Sequence, residues 1–468
     1  AGVSVIITHS TLANDPRNNP HVIAFVDDNP TLATTRIEGT KVYGTEKIKA
    51  LKEEFDIKQL IVAIQNPNSE KLKKTLDTCL DLKIAVQKVP NPKSWVNGEF
   101  TTKQLSKIKI EDLLGRKAIN LSNKEILNEL NNKVILVTGA AGSIGSGLTK
   151  EIAKYNPSLL IILDQAESAV YDLQFELLSQ HPNLKFEVII GDICNENRMD
   201  RIFGHFKPQL IFHAAAYKHV PMMELNPAEA VMNNIKGTKI LADLALKNNV
   251  DKFVMISTDK AVNPTNVMGA SKRIAEIYAQ SKNEVTKTRF VTTRFGNVLG
   301  SNGSVIPLFQ KQIDNGGPVT VTDERITRFF MTIPEACQLV LEAGTMGKGG
   351  EIFVFDMGES VRIIDLAKKM ISLSGLELGK DIDINITGLR PGEKLYEELL
   401  ANEENTIPTH HEKILIAKTR KAETQIITMI ETLVDSLNTY QNIDLVQKMK
   451  EIVPEFISNN SEFEELDK

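Results

Sequence analysis

The apolar run Val134-Ile-Leu-Val-Thr138 ends in a turn with glycines at 139, 142 and 145 and passes directly into a helix-like segment. This predicts a strand, a tight turn and a helix. Small residues at Gly139, Gly142 and Gly145 let the backbone approach a pyrophosphate. The helix N-terminus at Ser143 and Ile144 supplies unpaired N–H groups and a positive dipole end for it. A second apolar run, Leu159-Leu-Ile-Ile-Leu163, ends at Asp164, 19 residues after Gly145. A carboxylate there accepts hydrogen bonds from an adenosine ribose and repels a 2′-phosphate, which favours NAD over NADP. In a third strand, Phe186 to Asp192, the terminal Asp192, followed by Ile193, sits beside the adenine or caps the strand-end turn. A fourth, Leu210 to Ala216, closes on Ala214 and Ala215, where bulk would collide with a dinucleotide. Strands alternating with helical stretches through residue 300 specify an α/β fold, a Rossmann-type doubly wound parallel sheet with its ligands at the carboxyl ends of the strands.

The chemistry is expected between Val254 and Lys272. This stretch has the layout of a short-chain dehydrogenase active site whose tyrosine is replaced by Met268. A tyrosine and a lysine four residues later would share a helix face, and the lysine charge would favour the phenolate that moves a hydroxyl proton. A thioether has no such proton. Just upstream, Thr258, Asp259 and Lys260 offer a hydroxyl, an acid and a base, as a dehydration requires and a plain oxidoreduction does not. An ordinary surface ion pair is the competing reading of Asp259 and Lys260, but the apolar strand before them delivers them to the nicotinamide face. As a base, Lys260 must be neutral, so its pKa is expected to fall through burial or the nearby Lys272 charge. Met268 reads as a gap-filling apolar residue, and Lys272 as a contact to the nicotinamide ribose.

Cations suited to a diphosphate are Arg328 and Arg390, whose forks fit phosphate oxygens. Lys218 follows a strand end and is either a diphosphate contact or a solvated lysine. Asn297 either binds a glycosyl phosphate or shapes a turn. His213, His219, His410 and His411 lack partners at ligand or triad spacing and read as structural. Cys79, Cys194 and Cys337 are odd in number and lack metal-ligand spacing, which fits a reducing cytoplasm and no metal site. A net charge of −5 argues against nucleic-acid binding. Nothing approaches ~20 uninterrupted apolar residues, so neither a transmembrane helix nor a signal peptide is expected. The stretch Asn459 to Asp467 predicts a solvated, frayed tail.

With His213-Ala-Ala-Ala-Tyr-Lys-His-Val-Pro221, Asn234-Ile-Lys-Gly-Thr238, Arg294-Phe-Gly-Asn-Val-Leu-Gly300 and Arg390-Pro-Gly-Glu-Lys394, these motifs resemble the nucleotide-sugar 4,6-dehydratases of the extended short-chain dehydrogenase/reductase superfamily. The resemblance is to the polysaccharide-biosynthesis branch, and Met268 points to its large, membrane-anchored subgroup. It implies conversion of UDP-N-acetylglucosamine to UDP-2-acetamido-2,6-dideoxy-α-D-xylo-hexos-4-ulose with NAD as cofactor. Catalysis would rest on Thr258, Asp259, Lys260, Met268 and Lys272. Ser304, Val305 and Glu393 would join Lys218, Asn297, Arg328 and Arg390 at the substrate. It further implies a homo-oligomer in the cytoplasm, held at the inner face of a bacterial membrane by helices preceding Ala1.

The expected domains are residues 1–118, a smaller Rossmann-like module; 119–132, a linker; 133–400, the catalytic domain with a small C-terminal substrate lobe; and 401–468, a helical extension and acidic tail. In the first module, Val3 to Thr8, Val22 to Asp28, Ile37 to Gly44 and Leu60 to Ile64 read as strands. The glycine-rich turn expected after its first strand is absent, which counts against nucleotide binding there. Two other readings stand beside the dehydratase: a UDP-hexosamine 4-epimerase or 4-keto reductase, and an NAD-sensing regulatory protein in which Met268 marks lost catalysis.

Overall fold

The structure is a computed structural model and describes residues 3–13, 21–33, 35–64, 68–90, 100–108, 110–113, 123–284, 287–398, 406–418, 424–439 and 441–467. The chain forms two compact units. The larger comprises residues 119–308, 321–364 and 386–468; the smaller comprises 1–118, 309–320 and 365–385.

In the larger unit, seven strands run parallel: β1 Val134–Thr138, β2 Leu159–Asp164, β3 Phe186–Ile190, β4 Leu210–His213, β5 Lys252–Thr258, β6 Arg289–Phe295 and β7 Ile352–Phe355. Their order is β3-β2-β1-β4-β5-β6-β7. β9 (Ile414–Ala417) adds antiparallel to β7, and β8 (Thr406–Pro408) pairs with β9. The strand order reverses between β1 and β4, which opens a crevice at their carboxyl ends.

Both faces of this sheet are covered, which is why its central strands read as continuous apolar runs rather than alternating ones. Successive residues of β1 serve opposite cores. Leu136 packs with helices Gly237–Lys247 and Val267–Ser281, while Ile135 and Val137 pack with helices Ser143–Ala153 and Ile333–Met346. A small second sheet of Asn297–Val298, Thr327–Met331 and Ser360–Arg362 lies in the same unit.

In the smaller unit, Gln59–Val62 and Ala85–Lys88 pair in parallel, and Ser106–Lys107 joins them antiparallel. A second set of short strands, Phe25–Val26, Thr40–Tyr43 and Arg36–Ile37, forms its own sheet. Helix Ser69–Asp81 begins at Asn68, whose side chain accepts from the N–H groups of Glu70 and Lys71. Lys369 Nζ donates to Asp77 Oδ1 at 2.6 Å.

Two expectations are corrected. Val3 to Thr8 is not a strand but the start of helix Val3–Ala13, whose buried Thr8 and Leu12 are four residues apart on one face. A short apolar run carries no period that separates strand from helix. The stretch from Asn459 to Asp467 is not frayed. Phe463 is buried in the core, Asp467 accepts from the Ser458 N–H at 2.9 Å, and Asn459 Nδ2 donates to the Glu393 carbonyl at 3.2 Å. No helix among the described residues is long and apolar enough to cross a membrane.

Candidate active site

The dinucleotide turn comes directly from β1. Gly139 has φ +65°, a region that favours glycine, and a Cβ there would lie 2.4 Å from the Ala215 nitrogen. At Gly145 a Cβ would lie 2.0 Å from the Gly139 carbonyl oxygen. Asp164 braces this turn: its carboxylate accepts from the N–H groups of Ala141 and Ala166, both at 2.9 Å. A pocket of about 310 Å³ is lined by Gly139, Gly142, Asp164, Asp192, Ile193, Ala214, Ala215 and Asn302, among others. Asp192 lines the pocket and caps its turn by accepting from the Cys194 N–H at 2.8 Å.

Ser143, Ile144 and Gly145 are not part of the pocket lining. Ser143 Oγ instead accepts from the Asn302 N–H at 3.0 Å, tying loop 299–304 to the glycine turn, and Ile144 packs against the core. The pocket fits a dinucleotide on its own geometry: close backbone approach, a helix N-terminus, and a carboxylate at the second strand end.

The second group of residues lies where β5 ends. Thr258 is its last residue, and Asp259 and Lys260 lie in the 3₁₀ turn Asp259–Ala261. That turn brings together side chains that an extended strand would point apart. Thr258 Oγ1 donates to Asp259 Oδ1 at 2.8 Å, and Lys260 Nζ donates to the same oxygen at 2.9 Å. Lys260 Nζ also reaches Asn297 Oδ1 at 3.3 Å and Glu397 Oε1 at 3.1 Å. The other Asp259 oxygen, Oδ2, is buried with no hydrogen-bond partner among the described residues, and so is Ser304 Oγ. Gly296 leaves the space beside Oδ2 open, because a Cβ there would lie 2.9 Å from it.

The expectation for the charge on Lys260 is reversed. Burial alone would lower its pKa, but the carboxylates of Asp259 and Glu397 outweigh burial and the opposing Arg328, so it is held above the ordinary lysine value. Lys272 is depressed instead: burial brings it down to about 8, only partly offset by Glu276. Met268 is 3% exposed and belongs to the apolar core, on the same helix as Lys272.

Arg328, expected at a diphosphate, bonds the neighbouring backbone and carboxylates. Nη1 donates to the carbonyl of Thr327 at 2.7 Å and lies 3.3 Å from that of Leu395. Nη2 donates to the Lys394 carbonyl at 2.8 Å, with Glu393 at 3.5 Å, and Nε faces Glu397 at 3.5 Å. It therefore fastens the segment that carries Glu397. Arg390 is exposed and pairs with Glu393, at 3.3 Å from Nη2 to Oε1. Lys218 Nζ lies 3.4 Å from Ser301 Oγ, and burial lowers its pKa. Val305 opens helix Val305–Asp314 next to Ser304.

His213 is structural: it is fully buried between Thr138 Oγ1 at 2.8 Å and Thr238 Oγ1 at 2.9 Å, and burial with the Lys272 charge pushes it down to about 3. His410 does meet partners that the sequence spacing conceals, with Nε2 3.2 Å from Glu342 Oε1 and Glu125 close by.

Three functional candidates were given no individual role in the sequence reading. Glu397 lies just past the Arg390-Pro-Gly-Glu-Lys394 motif, and a glutamate so near a cationic motif was the available signal. Glu276, four residues after Lys272 on a buried helix face, pairs with Arg294 through Nε to Oε1 at 2.8 Å. Asn234, in a turn of π-helix, accepts from the Tyr217 N–H at 2.8 Å and donates to Ser271 Oγ at 2.9 Å. It thus locks the active-site helix to the strand end.

A family model described as polysaccharide biosynthesis protein matches residues 135–419. The chain belongs to that family. Within the polysaccharide biosynthesis family it is 47% identical over 441 residues to the capsular polysaccharide biosynthesis protein CapD of Staphylococcus aureus, covering 93% of this chain and 73% of that protein. It is 36% identical over 280 residues to a Campylobacter jejuni protein named UDP-N-acetylglucosamine 4,6-dehydratase (inverting), covering 59% of this chain and 79% of the other. Among solved structures, Pen from Bacillus thuringiensis superposes with a TM-score of 0.57 at 34% identity, over 63% of this chain and 92% of that one.

Proposed function

We propose that this protein is an NAD-dependent nucleotide-sugar 4,6-dehydratase that acts on UDP-N-acetylglucosamine. One observation carries the reading: a hydroxyl, a carboxylate and an amine, Thr258, Asp259 and Lys260, share one hydrogen-bonded cluster, while an apolar Met268 stands where a proton-transferring phenol would be. The named activity of the Campylobacter relative supports it. When bound, NAD would supply the acceptor for the C4 hydride and the donor that returns it at C6. Gly139, Gly142, Asp164 and Asp192 would hold it.

The residues account for every proton. As C4 is oxidised, its hydroxyl proton passes to Thr258 Oγ1, whose own proton moves along the 2.8 Å bond to Asp259. The ketone at C4 acidifies C5, and Lys260, after its ammonium has given one proton to solvent, takes the C5 proton. Asp259, now protonated, gives its proton to the departing C6 hydroxyl, which leaves as water. Lys260 returns its proton to C5. Asp259 is therefore first the acceptor for O4 and then the acid for C6, and the phenol is unnecessary. Asn297 would hold Lys260 in register, and Arg390 and Lys218 would supply cations for a diphosphate.

The test is to incubate the protein with UDP-N-acetylglucosamine and follow the sugar by mass spectrometry and NMR. Loss of one water with a new C6 methyl group supports the reading. A C4 epimer of unchanged mass would show an epimerase instead, and no turnover would favour a dinucleotide-sensing role.

A further inference from the structure

The mechanism needs Lys260 as a neutral amine, yet the folded site holds it as an ammonium ion. Its Nζ faces two carboxylates, of which the chemistry uses one. Asp259 is committed to the O4 and C6 protons. Glu397 has no step in that scheme, although its side chain is only 4% exposed and it lies 3.1 Å from Lys260 Nζ. A carboxylate buried to that degree is costly unless charges compensate it, and the structure provides two, Lys260 and Arg328. Arg328 in turn grips the backbone at Lys394 and Leu395, which fixes Glu397 from the other side.

We infer that Glu397 is a positioning residue that fixes both the place and the charge state of Lys260, and so sets the pH at which the C5 base becomes available. This rests on the dehydratase reading of Lys260. The groups facing Lys260 come from four segments: Asp259 from its own turn, neutral Asn297 from strand Asn297–Val298, Arg328 from strand Thr327–Met331, and Glu397 from segment 393–398. Lys394 acts on Glu397, and Glu393 on Arg328. Of these, Asp259 and Glu397 favour the ammonium and Arg328 opposes it, so removing the Glu397 charge must move Lys260 toward the free amine. The step is a plain acid–base equilibrium: one N–H bond of the ammonium breaks and its proton goes to solvent or a carboxylate.

The experiment compares wild type, Glu397→Gln and Glu397→Asp, with Lys260→Met used to assign the signal. Lysine-labelled protein is titrated by NMR to read the Lys260 ammonium directly. In wild type it should titrate above the ordinary lysine value of about 10.4. In Glu397→Gln it should titrate about 1–3 pH units lower than in wild type, and Glu397→Asp should stay near wild type. Deuterium exchange at sugar C5 provides a second reading, in which the acid limb of the glutamine variant moves to lower pH by a similar amount. A merely structural Glu397 would slow exchange at every pH without moving the limb.

Wild-type Lys260 titrating below the ordinary value, or an unmoved titration in Glu397→Gln, overturns the inference. Since the wild-type titration needs no variant, a misfolded glutamine protein still leaves it testable. Absence of exchange in all proteins, with the NMR shift present, sinks the dehydratase reading and leaves the charge assignment standing.

Discussion

Replacing Lys260 by methionine tests the cluster by stability as well as by rate. The ammonium sits between Asp259 and Glu397, whose side chains are 3% and 4% exposed, at 2.9 and 3.1 Å. Without it the two carboxylates remain buried, with Arg328 3.5 Å from Glu397 as the nearest remaining cation. Removing one partner from a buried ion pair costs about 3–5 kcal/mol, and the remaining guanidinium places this case at the lower end, about 3 kcal/mol. The sign of the pH dependence follows from the carboxylates. With the ammonium gone, burial acts on the Glu397 carboxyl against one lowering charge fewer, so its folded pKa rises and the stability deficit is small below about pH 4 and grows with pH above it. Urea unfolding of both proteins at pH 5 and pH 8 measures it, and the deficit should be larger at pH 8. Product formation should fall by about a hundred- to ten-thousandfold, the usual worth of one general base. A variant as stable as wild type at pH 8, or a deficit independent of pH, would refute the buried cluster.

Asp164→Ala removes the acceptor for two backbone N–H groups and the partner expected for the ribose. Titration of the cofactor-free protein should show NAD affinity falling by about ten- to a hundredfold, as the loss of a charged hydrogen bond implies, with NADP discriminated against less than before. Glu276→Gln should cost about 3–5 kcal/mol in urea unfolding because it leaves the Arg294 guanidinium buried without its carboxylate. Replacing both residues by apolar ones of similar volume should cost much less; an equal cost would mean that the pair is not what stabilises this region.

What the sequence revealed was local in the chain. The turn from Gly139 to Gly145, the strands leading to Asp164 and Thr258, and the adjacent Asp259 and Lys260 each lie within one short segment, where period and turn chemistry carry the information. The charge state of Lys260 was not legible, because Glu397 approaches it from 137 positions away. The contacts of Arg328 were not legible for the same reason: its bonds to the backbone carbonyls at Lys394 and Leu395 join residues far apart in the chain. Val3–Ala13 shows the limit of periodicity, since its opening apolar residues suit either a strand or a helix until tertiary packing decides. The ends of the chain mislead by composition. Glu462, Glu464 and Glu465 read as solvated, yet Phe463 between them is buried.

The central claim is that one site oxidises C4, removes water and returns the same hydride to C6. It is tested most directly with UDP-N-acetylglucosamine deuterated at C4, incubated with the protein in ordinary water with no added dinucleotide. A 4,6-dehydratase gives a product lighter by one water, with a ketone at C4 and the deuterium in the C6 methyl group. A C4 epimer of unchanged mass, or a dehydrated product that has lost the label to solvent, would contradict it.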